Sequence, residues 1–575
     1  MANDSQQHAL NRAVDEARHI MWRVAGFSLL INLLMLASPL YMLQIYDRVL
    51  VSTSGPTLLF LTLFAVGCLL TMALLELVRS RILVRLGSRL DVLLSQDIFR
   101  IVLSRGKSAQ LFRDLDHVRS FLTGSGMLSL LDAPWVPIYI ALVYVLHPWL
   151  GHVALAGAVL LFVLGLLNER ATRVPLMKAG GEMAAGTQFA DLSSRNADVV
   201  QAMGMLPGLQ AVWRKRHSAG LRLQAQASDR AGELAAAAKF VRVFLQMAIL
   251  AVGAYLVITQ EATGGVMIAA SIVMGRGLAP VESAIGAWRG FLQAREGYGR
   301  LHEVFRLYGA TDDPMPLPAP KGALALDNVV AYPPGGRKPV VNGISADLKA
   351  GTCLGITGPS AAGKSSLARL MVGVWAPASG TVRLDGVNLS TWKREEVGPH
   401  IGYLPQDIEL FPGSVAENIA RFGEMDSTQV VEAATLAGAH QMILELPDGY
   451  DTLIGPAGSN LSGGQRQRIG LARAFYGLPS LIVLDEPSAH LDAVGEASVR
   501  QAMGQLRQMG KTVIVIAHRP SLLGGTNFMM VVQGGAVTNF GPTQQVMPLI
   551  TRAVAPSVEP APSGVAPQKE SAHGA

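Results

Sequence analysis

Six apolar stretches of 15 to 22 residues fall within the first 290 residues and limit the fold more than any other feature. They lie at approximately 24–43, 58–78, 128–147, 149–167, 245–259 and 264–285, and about 20 mostly apolar residues suffice to cross about 30 Å of hydrocarbon as a helix. The first, second and fourth are clean, whereas the third contains Asp132, Pro134 and Pro137 and the sixth contains Arg276, Pro280 and Glu282. Composition agrees with a membrane protein: 50% of the chain is apolar and only 16% charged, against roughly 25% in soluble proteins. A plain soluble enzyme, a disordered chain and a collagen are excluded, and 60 glycines with 31 prolines exclude one long helical array.

Orientation follows from the Lys and Arg beside the spans. Residues 79–127 carry nine and residues 168–242 eleven, while the short links 44–57, 148 and 260–263 carry one, Arg48. Both long segments are therefore placed in the cytoplasm, where their Ala, Leu, Gln and Arg content predicts helices continuing the spans. Residues 1–310 hold 29 Lys/Arg against 20 Asp/Glu and the remainder 19 against 22, so the net +6 arises in the first half. An apolar run after about 20 residues could be a secretory signal. Its length and the lack of a small-residue cleavage pattern favour a retained first span, preceded by a short surface helix over residues 8–20. Cys68 and Cys353, the only cysteines, can build neither a disulfide framework nor a cysteine zinc site.

The expected organisation is a membrane domain over 1–310, a proline-rich linker over 311–323, a soluble α/β domain over 324–550 and a disordered tail over 551–575. The linker contains four prolines between Thr311 and Lys321, which favour an extended chain. Beyond it, short Val/Ile/Leu strands alternate with helical stretches, and after residue 550 Pro, Ser, Ala and Gly leave no apolar period.

Within the α/β half, Gly358-Pro359-Ser360-Ala361-Ala362-Gly363-Lys364-Ser365 fits G-x-x-x-x-G-K-[ST] between the strand-like 353–357 and a helix opening at Ser366. Such a loop turns backbone N–H groups toward phosphate oxygens, the lysine neutralises β/γ charge and the serine hydroxyl ligates magnesium. A second apolar strand, 481–484, ends in Asp485-Glu486. The pair suits divided labour, Asp485 holding the metal or its water and Glu486 polarising the attacking water. Upstream, Ser462-Gly463-Gly464-Gln465 opens a helix whose free N–H groups and dipole make an anion site. Alone it reads equally well as a serine cap; its position after the phosphate loop and before Asp485 decides for the anion site.

These elements, in this order, resemble the ATP-binding cassette family across 324–546. The resemblance implies ATP with Mg2+ as cofactors and assigns further residues: Tyr332 to adenine stacking, Gln406 to linking the metal with the membrane domain and assisting catalysis, Ser462 to Gln465 to the signature, Asp492 to the acid after the catalytic pair, and His518 to the γ-phosphate. With Glu486, His518 and Gln406 as catalytic residues, the nucleotide would be held by Tyr332, Gly358 to Ser366, the signature and Asp492, and the metal by Ser365, Gln406 and Asp485. One departure is visible: exporters of this family usually carry a glutamate just before the signature, where this chain reads Ile454-Gly-Pro-Ala-Gly-Ser.

Five stretches of the membrane half, among them 38–50, 132–139 and 278–288, are similar to the type I secretion exporters of proteases and lipases. That likeness implies a bacterial inner-membrane, multi-pass ATPase working as a homodimer with a periplasmic membrane-fusion adaptor and an outer-membrane channel, and moving unfolded proteins that keep a C-terminal signal. Nucleic acid is not an expected partner. Some 20 residues before the first span leave no room for an N-terminal peptidase domain, and neither cysteine could serve as its nucleophile. The competing readings are export of a lipid, glycan or small molecule, and an ATP-driven gate that transports nothing. Arg276 would line a polar path, pair with Glu282, or lie beyond a span that ends early.

Overall fold

The computed structural model describes residues 7–105, 110–308, 317–455 and 458–554. It divides into two compact units, Met1–Asp312 and Asp313–Ala575.

The described residues of the first unit form helices joined by short turns, with no strand among them. Four helices, Gly55–Arg105, Pro148–Ser194, Leu206–Ile258 and Gly264–Tyr308, have 51, 47, 53 and 45 residues, lengths of about 70–80 Å at 1.5 Å per residue. Each is more than twice the hydrocarbon thickness, so the apolar spans and the basic segments after or before them form single rigid rods. Among the described residues, six helical segments are long and apolar enough to cross a membrane. Residues 8–20, expected as a separate surface helix, are the first turns of the helix Gln7–Met35 that also holds the first span. No proline or glycine occurs before Gly26 to interrupt it. The third span is broken instead: Ser125–Asp132, a 3-10 turn at Ala133–Trp135, and Val136–Leu146, the interruption falling where Pro134 and Pro137 lack backbone donors.

Close helix approaches depend on small residues. A Cβ at Gly157 would lie 2.5 Å from Leu245 and one at Gly253 2.5 Å from Met267, so these helices pack backbone to side chain in the manner of membrane bundles. Asp47, within a π-helical turn at Ile45–Val49, accepts from the Thr263 hydroxyl at 2.7 Å and the Gly265 N–H at 3.1 Å. It thereby satisfies orphan donors at the start of the last long helix. Glu282 pairs with Arg242 at 2.5 Å and not with Arg276. Asp114, fully buried, is held bidentately by Arg300 at 2.7 and 2.8 Å, and Gly297 gives it space.

The second unit is built on a six-stranded sheet in the order Ala536–Pro542, Phe528–Gln533, Cys353–Thr357, Thr512–Ile516, Leu481–Asp485, Ile401–Leu404. Every pairing is parallel except that of the two C-terminal strands. Its faces follow strand alternation: Leu481, Val483, Ile514 and Ile516 join one core cluster, Ile482, Leu484, Val513 and Val515 the other. A four-stranded antiparallel sheet, ordered Val341–Leu348, Leu324–Ala331, Ser379–Leu384, Val387–Asn388, covers the first cluster.

Of the expected linker, residues 311–316 lie outside the described residues. The Asp385 carboxylate accepts from the successive backbone N–H groups of Lys321, Gly322 and Ala323, which fixes the chain as it enters the four-stranded sheet. Of the expected tail, residues 551–554 finish the helix Thr543–Val554, and 555–575 lie outside the described residues.

Candidate functional site

Ligands of a parallel sheet gather at the carboxyl ends of its strands, and the register brings four such ends level. Asp485 pairs with Ile516, and Ile516 with Ile356; the chain then leaves into Gly358, Glu486 and His518, while Ile401–Leu404 leads to Gln406.

The phosphate loop owes its shape to backbone positions no bulky residue could fill. Gly358 and Gly363 have φ of +151° and +96°, and Ala361 has +62°. A Cβ at Gly358 would meet the Val532 carbonyl at 2.0 Å, and one at Gly363 the Val340 carbonyl at 2.3 Å. Gly535 N–H donates to Ala362 O at 3.2 Å and Asn342 N–H to Gly535 O at 2.8 Å, tying the loop to both sheets. The buried Lys364 starts the helix Lys364–Met371 and turns back, Nζ donating to Gly358 O at 2.9 Å and Pro359 O at 2.8 Å. Burial lowers its pKa, opposed by the charges of Glu486 and Asp485, which places all three in one electrostatic field. Pro359, Ser360 and Ala361 are exposed.

Asp485 is buried, and burial raises its carboxyl pKa, partly countered by a hydrogen bond from Ser365; the Glu486 charge raises it further. Its Oδ1 has no hydrogen-bond partner. An orphaned buried carboxylate oxygen beside a serine hydroxyl costs folding free energy and fits a hard cation that takes oxygen ligands. Ser365 and Asp485 are thus a fitting pair for Mg2+. No group of three or more His, Cys, Asp or Glu with metal-site geometry occurs among the described residues.

Glu486 has φ +51°, a left-handed conformation that costs a non-glycine residue about 1–2 kcal/mol. Its N–H donates to Ile516 O at 3.0 Å, its carbonyl accepts from Gln467 Nε2 at 3.3 Å and from Ala489 N–H at 3.2 Å, and Gln467 Nε2 also donates to Pro487 O at 2.8 Å. The carboxylate Oε1 lies 3.6 Å from His518 Nε2. Gln467, buried on the signature helix, carries no motif weight in sequence. A glutamine on the apolar side of that helix is the signal that points to it.

Ser462 caps the helix Gly463–Phe475 in a capping box: Gln465 N–H donates to Ser462 Oγ at 3.2 Å, and Ser462 N–H to Gln465 Oε1 at 2.8 Å. Both the cap and a free helix start are present, so the two readings of this stretch are compatible. Asp492 caps Ala493–Gln508 through Gly495 N–H at 2.8 Å and receives Arg468 at 3.2 Å. Tyr332, directly after Leu324–Ala331, and Gln406 are both exposed. Among the described residues no hydrogen bond joins Ser462 to Gln465 with the phosphate loop. Before the signature, Asn460 accepts from Gly455 N–H at 3.1 Å and donates to Leu453 O at 2.8 Å; Pro456 and Ala457 lie outside the described residues.

Six membrane-length helices followed by this sheet and loop set define an ABC exporter. Family comparison agrees: the ABC transporter transmembrane region matches residues 22–275 and the ABC transporter domain residues 341–489. The Type I secretion system ATP-binding protein PrsD of Rhizobium meliloti is 42% identical over 548 residues, 94% of each chain. The cyclolysin secretion/processing ATP-binding protein CyaB of Bordetella pertussis is 30% identical over 92% of this chain and 76% of its own. The leukotoxin translocation ATP-binding protein LktB of Mannheimia haemolytica is 30% identical over 93% and 77%. A bacterial Atm1-family ABC exporter with ATP bound superposes with a TM-score of 0.78 at 22% identity, over 94% of this chain and 99% of that one, a likeness of fold. The chain belongs to the ABC transporters, among the type I secretion ATP-binding proteins. It is a multi-pass membrane protein with an ATP-hydrolysing domain.

Proposed function

We propose that this chain is the inner-membrane ATPase of a type I secretion system, working as a homodimer and exporting unfolded proteins with C-terminal signals through a periplasmic adaptor and an outer-membrane channel. The observation that carries this reading is full-length similarity to PrsD across both units, joined to a complete set of phosphate-loop, carboxylate and signature elements in the cassette.

Each residue has a physical task. Loop N–H groups from Gly358 to Ser366 cradle the phosphates, and Lys364 exchanges its two carbonyl partners for phosphate oxygens. Ser365 and Asp485 would hold Mg2+, with Gln406 available from the neighbouring strand end, and the ion would offset phosphate charge. Glu486, aimed by its strained backbone, accepts a proton from the attacking water, and His518 holds the γ-phosphate side of the site. Tyr332 stacks on adenine. One chain carries one phosphate loop and one signature, so a nucleotide sandwiched between them needs the signature and Asp492 of a second copy. ATP does work only through its higher affinity for the closed pair, and helices of about 70–80 Å can carry that displacement to the spans.

The test is a strain carrying this chain with its adaptor and outer-membrane channel. A C-terminally signalled protein should appear in the medium, and both Lys364→Ala and removal of the cargo's C-terminal segment should abolish it. Lipid or glycan in the medium, with no protein whose export depends on Lys364, would overturn the proposal.

A further inference from the structure

Arg421 belongs to none of the motifs above, yet its whole guanidinium is engaged. Nε donates to Arg473 O at 2.9 Å; one terminal nitrogen donates to Gly398 O at 3.1 Å and Ile401 O at 3.2 Å; the other donates to Ala474 O and Tyr476 O, both at 3.2 Å. Every acceptor is a backbone carbonyl. Burial, with the nearby Arg473 charge, brings its pKa down to about 10, and among the described residues no carboxylate pairs with this cation.

The five carbonyls belong to two elements. Arg473, Ala474 and Tyr476 lie at the C-terminal end of the helix Gly463–Phe475, which Ser462 caps at its other end. Carbonyls of a last turn lack partners within the helix, and a cation there also meets the negative end of the dipole. Gly398 and Ile401 lie at the root of the strand Ile401–Leu404, two residues beyond which stands Gln406. A planar fork of donors can satisfy both groups at once, which an ammonium cannot.

Two further observations give the same direction. Arg421 and Phe422 have φ of +58° and +56°, consecutive left-handed residues without glycine, a conformation kept only where the surroundings over-determine it. From the same helix end, Arg473 donates to Glu409 O at 3.2 Å and lies over the Phe411 ring at 5.9 Å, so a second strut reaches the segment after Gln406. Phe411 in turn meets Phe422 edge-on at 5.9 Å.

We propose that Arg421 is a positioning residue for ATP turnover, locking the helix that starts at the signature serine to the strand that delivers Gln406, so that the two segments move as one body. The inference rests on the roles assigned to Ser462 and Gln406 above. The helix is about 20 Å long, so a small tilt at its clamped end displaces Ser462 at the other. The phosphate loop stands on different strands and should feel little of this.

The experiment compares Arg421→Met and Arg421→Lys with the parent as purified full-length protein, measuring binding of a fluorescent ATP analogue, KM, kcat and thermal melting. Arg421→Met should keep analogue affinity and KM within about 2-fold while kcat falls about 10-fold or more, the pattern of an interaction needed in the transition state and not in binding. Arg421→Lys, able to satisfy up to three carbonyls, should recover part of kcat at the same KM. A kcat for Arg421→Met within 2-fold of the parent, or a loss of analogue binding that tracks the loss of kcat, overturns the inference. If Arg421→Met does not fold, Arg421→Lys decides by the same split: reduced kcat at parental KM supports the clamp, parental kcat overturns it. The parent's own turnover reads the proposed function separately.

Discussion

Arg79 and Asp132, 53 residues apart in sequence, are ion-paired at 3.1 Å with side chains only 6% and 17% exposed. The same Arg79 nitrogen donates to Ser28 Oγ at 2.8 Å, and Asn32 Nδ2 donates to Asp132 Oδ1 at 3.0 Å. Tyr139 completes the network through its hydroxyl, which donates to Asn32 Oδ1 at 2.9 Å. The network ties the first two membrane helices to the residue where the third span breaks. Removing one partner of a buried pair leaves an uncompensated charge and costs about 3–5 kcal/mol, whereas replacing both by apolar groups is often near neutral. Asp132→Ala should therefore lower the melting temperature of the purified protein, and adding Arg79→Met should restore much of it. Equal melting of parent and Asp132→Ala would show that the pair contributes nothing to stability.

Glu486 and Lys364 share one electrostatic field but should fail differently. Glu486→Gln keeps the side-chain shape and loses the base, so ATP binding should persist while kcat falls about 10²–10⁴-fold, the range for a general base. Lys364→Ala removes the cation proposed to face the phosphates and should weaken binding itself. Parallel measurements of nucleotide affinity and hydrolysis separate the two. Near-parental hydrolysis by Glu486→Gln would remove it as the base.

The contrast between legible and hidden residues has a physical origin. Gly358, Lys364 and Asp485 are readable because phosphate chemistry demands those residue types at fixed spacing. The long rods are readable because apolar and basic stretches adjoin with no turn signal strong enough to end the helix, although Pro175 and Pro280 lie inside two of them. Hidden are residues whose task depends on the three-dimensional register: Gln467, whose amide reaches Glu486 O and Pro487 O; Asp385, which holds three successive N–H groups; and Asp47, 218 residues from the Gly265 N–H it accepts. Glutamine and aspartate occur in many settings, and only the folded neighbours distinguish a buried clamp from a solvated side chain. Arg276 shows the opposite failure: Glu282, its nearest carboxylate in sequence, is taken by Arg242.

Ser462 caps its helix, and the proposed signature role is separable from that cap. Ser462→Ala loses the bond from Gln465 N–H, worth about 1 kcal/mol, but leaves the helix start open to a phosphate. Ser462→Arg loses the cap and also fills the approach with a bulky side chain. Turnover should fall modestly in the first and be abolished in the second, with nucleotide still bound by each chain's own phosphate loop. Full activity in Ser462→Arg would argue against the two-chain sandwich.

Asp485 should stabilise the protein when it is neutralised and disable it at the same time. Burial raises its carboxyl pKa and Oδ1 lacks a partner, so ionisation is unfavourable in the folded, metal-free state. For a carboxyl raised on folding, the favourable contribution is fully present below the unfolded value of about 3.9 and is lost as pH rises through the higher folded value. At pH 8, well above that window's lower edge, Asp485→Asn removes a buried charge and should raise the melting temperature measured in a chelator by about 2–4 °C, equivalent to about 1 kcal/mol. The gain should shrink as pH falls toward the unfolded value, because the raised parent carboxyl takes up its proton along the way. The additional stabilisation that Mg2+ gives the parent with ATP should be lost in the variant, because the amide carries no negative charge to offer the ion. A destabilised Asp485→Asn at pH 8, or one that keeps the full Mg2+-dependent increment, would show that this carboxylate is not held in readiness for a cation.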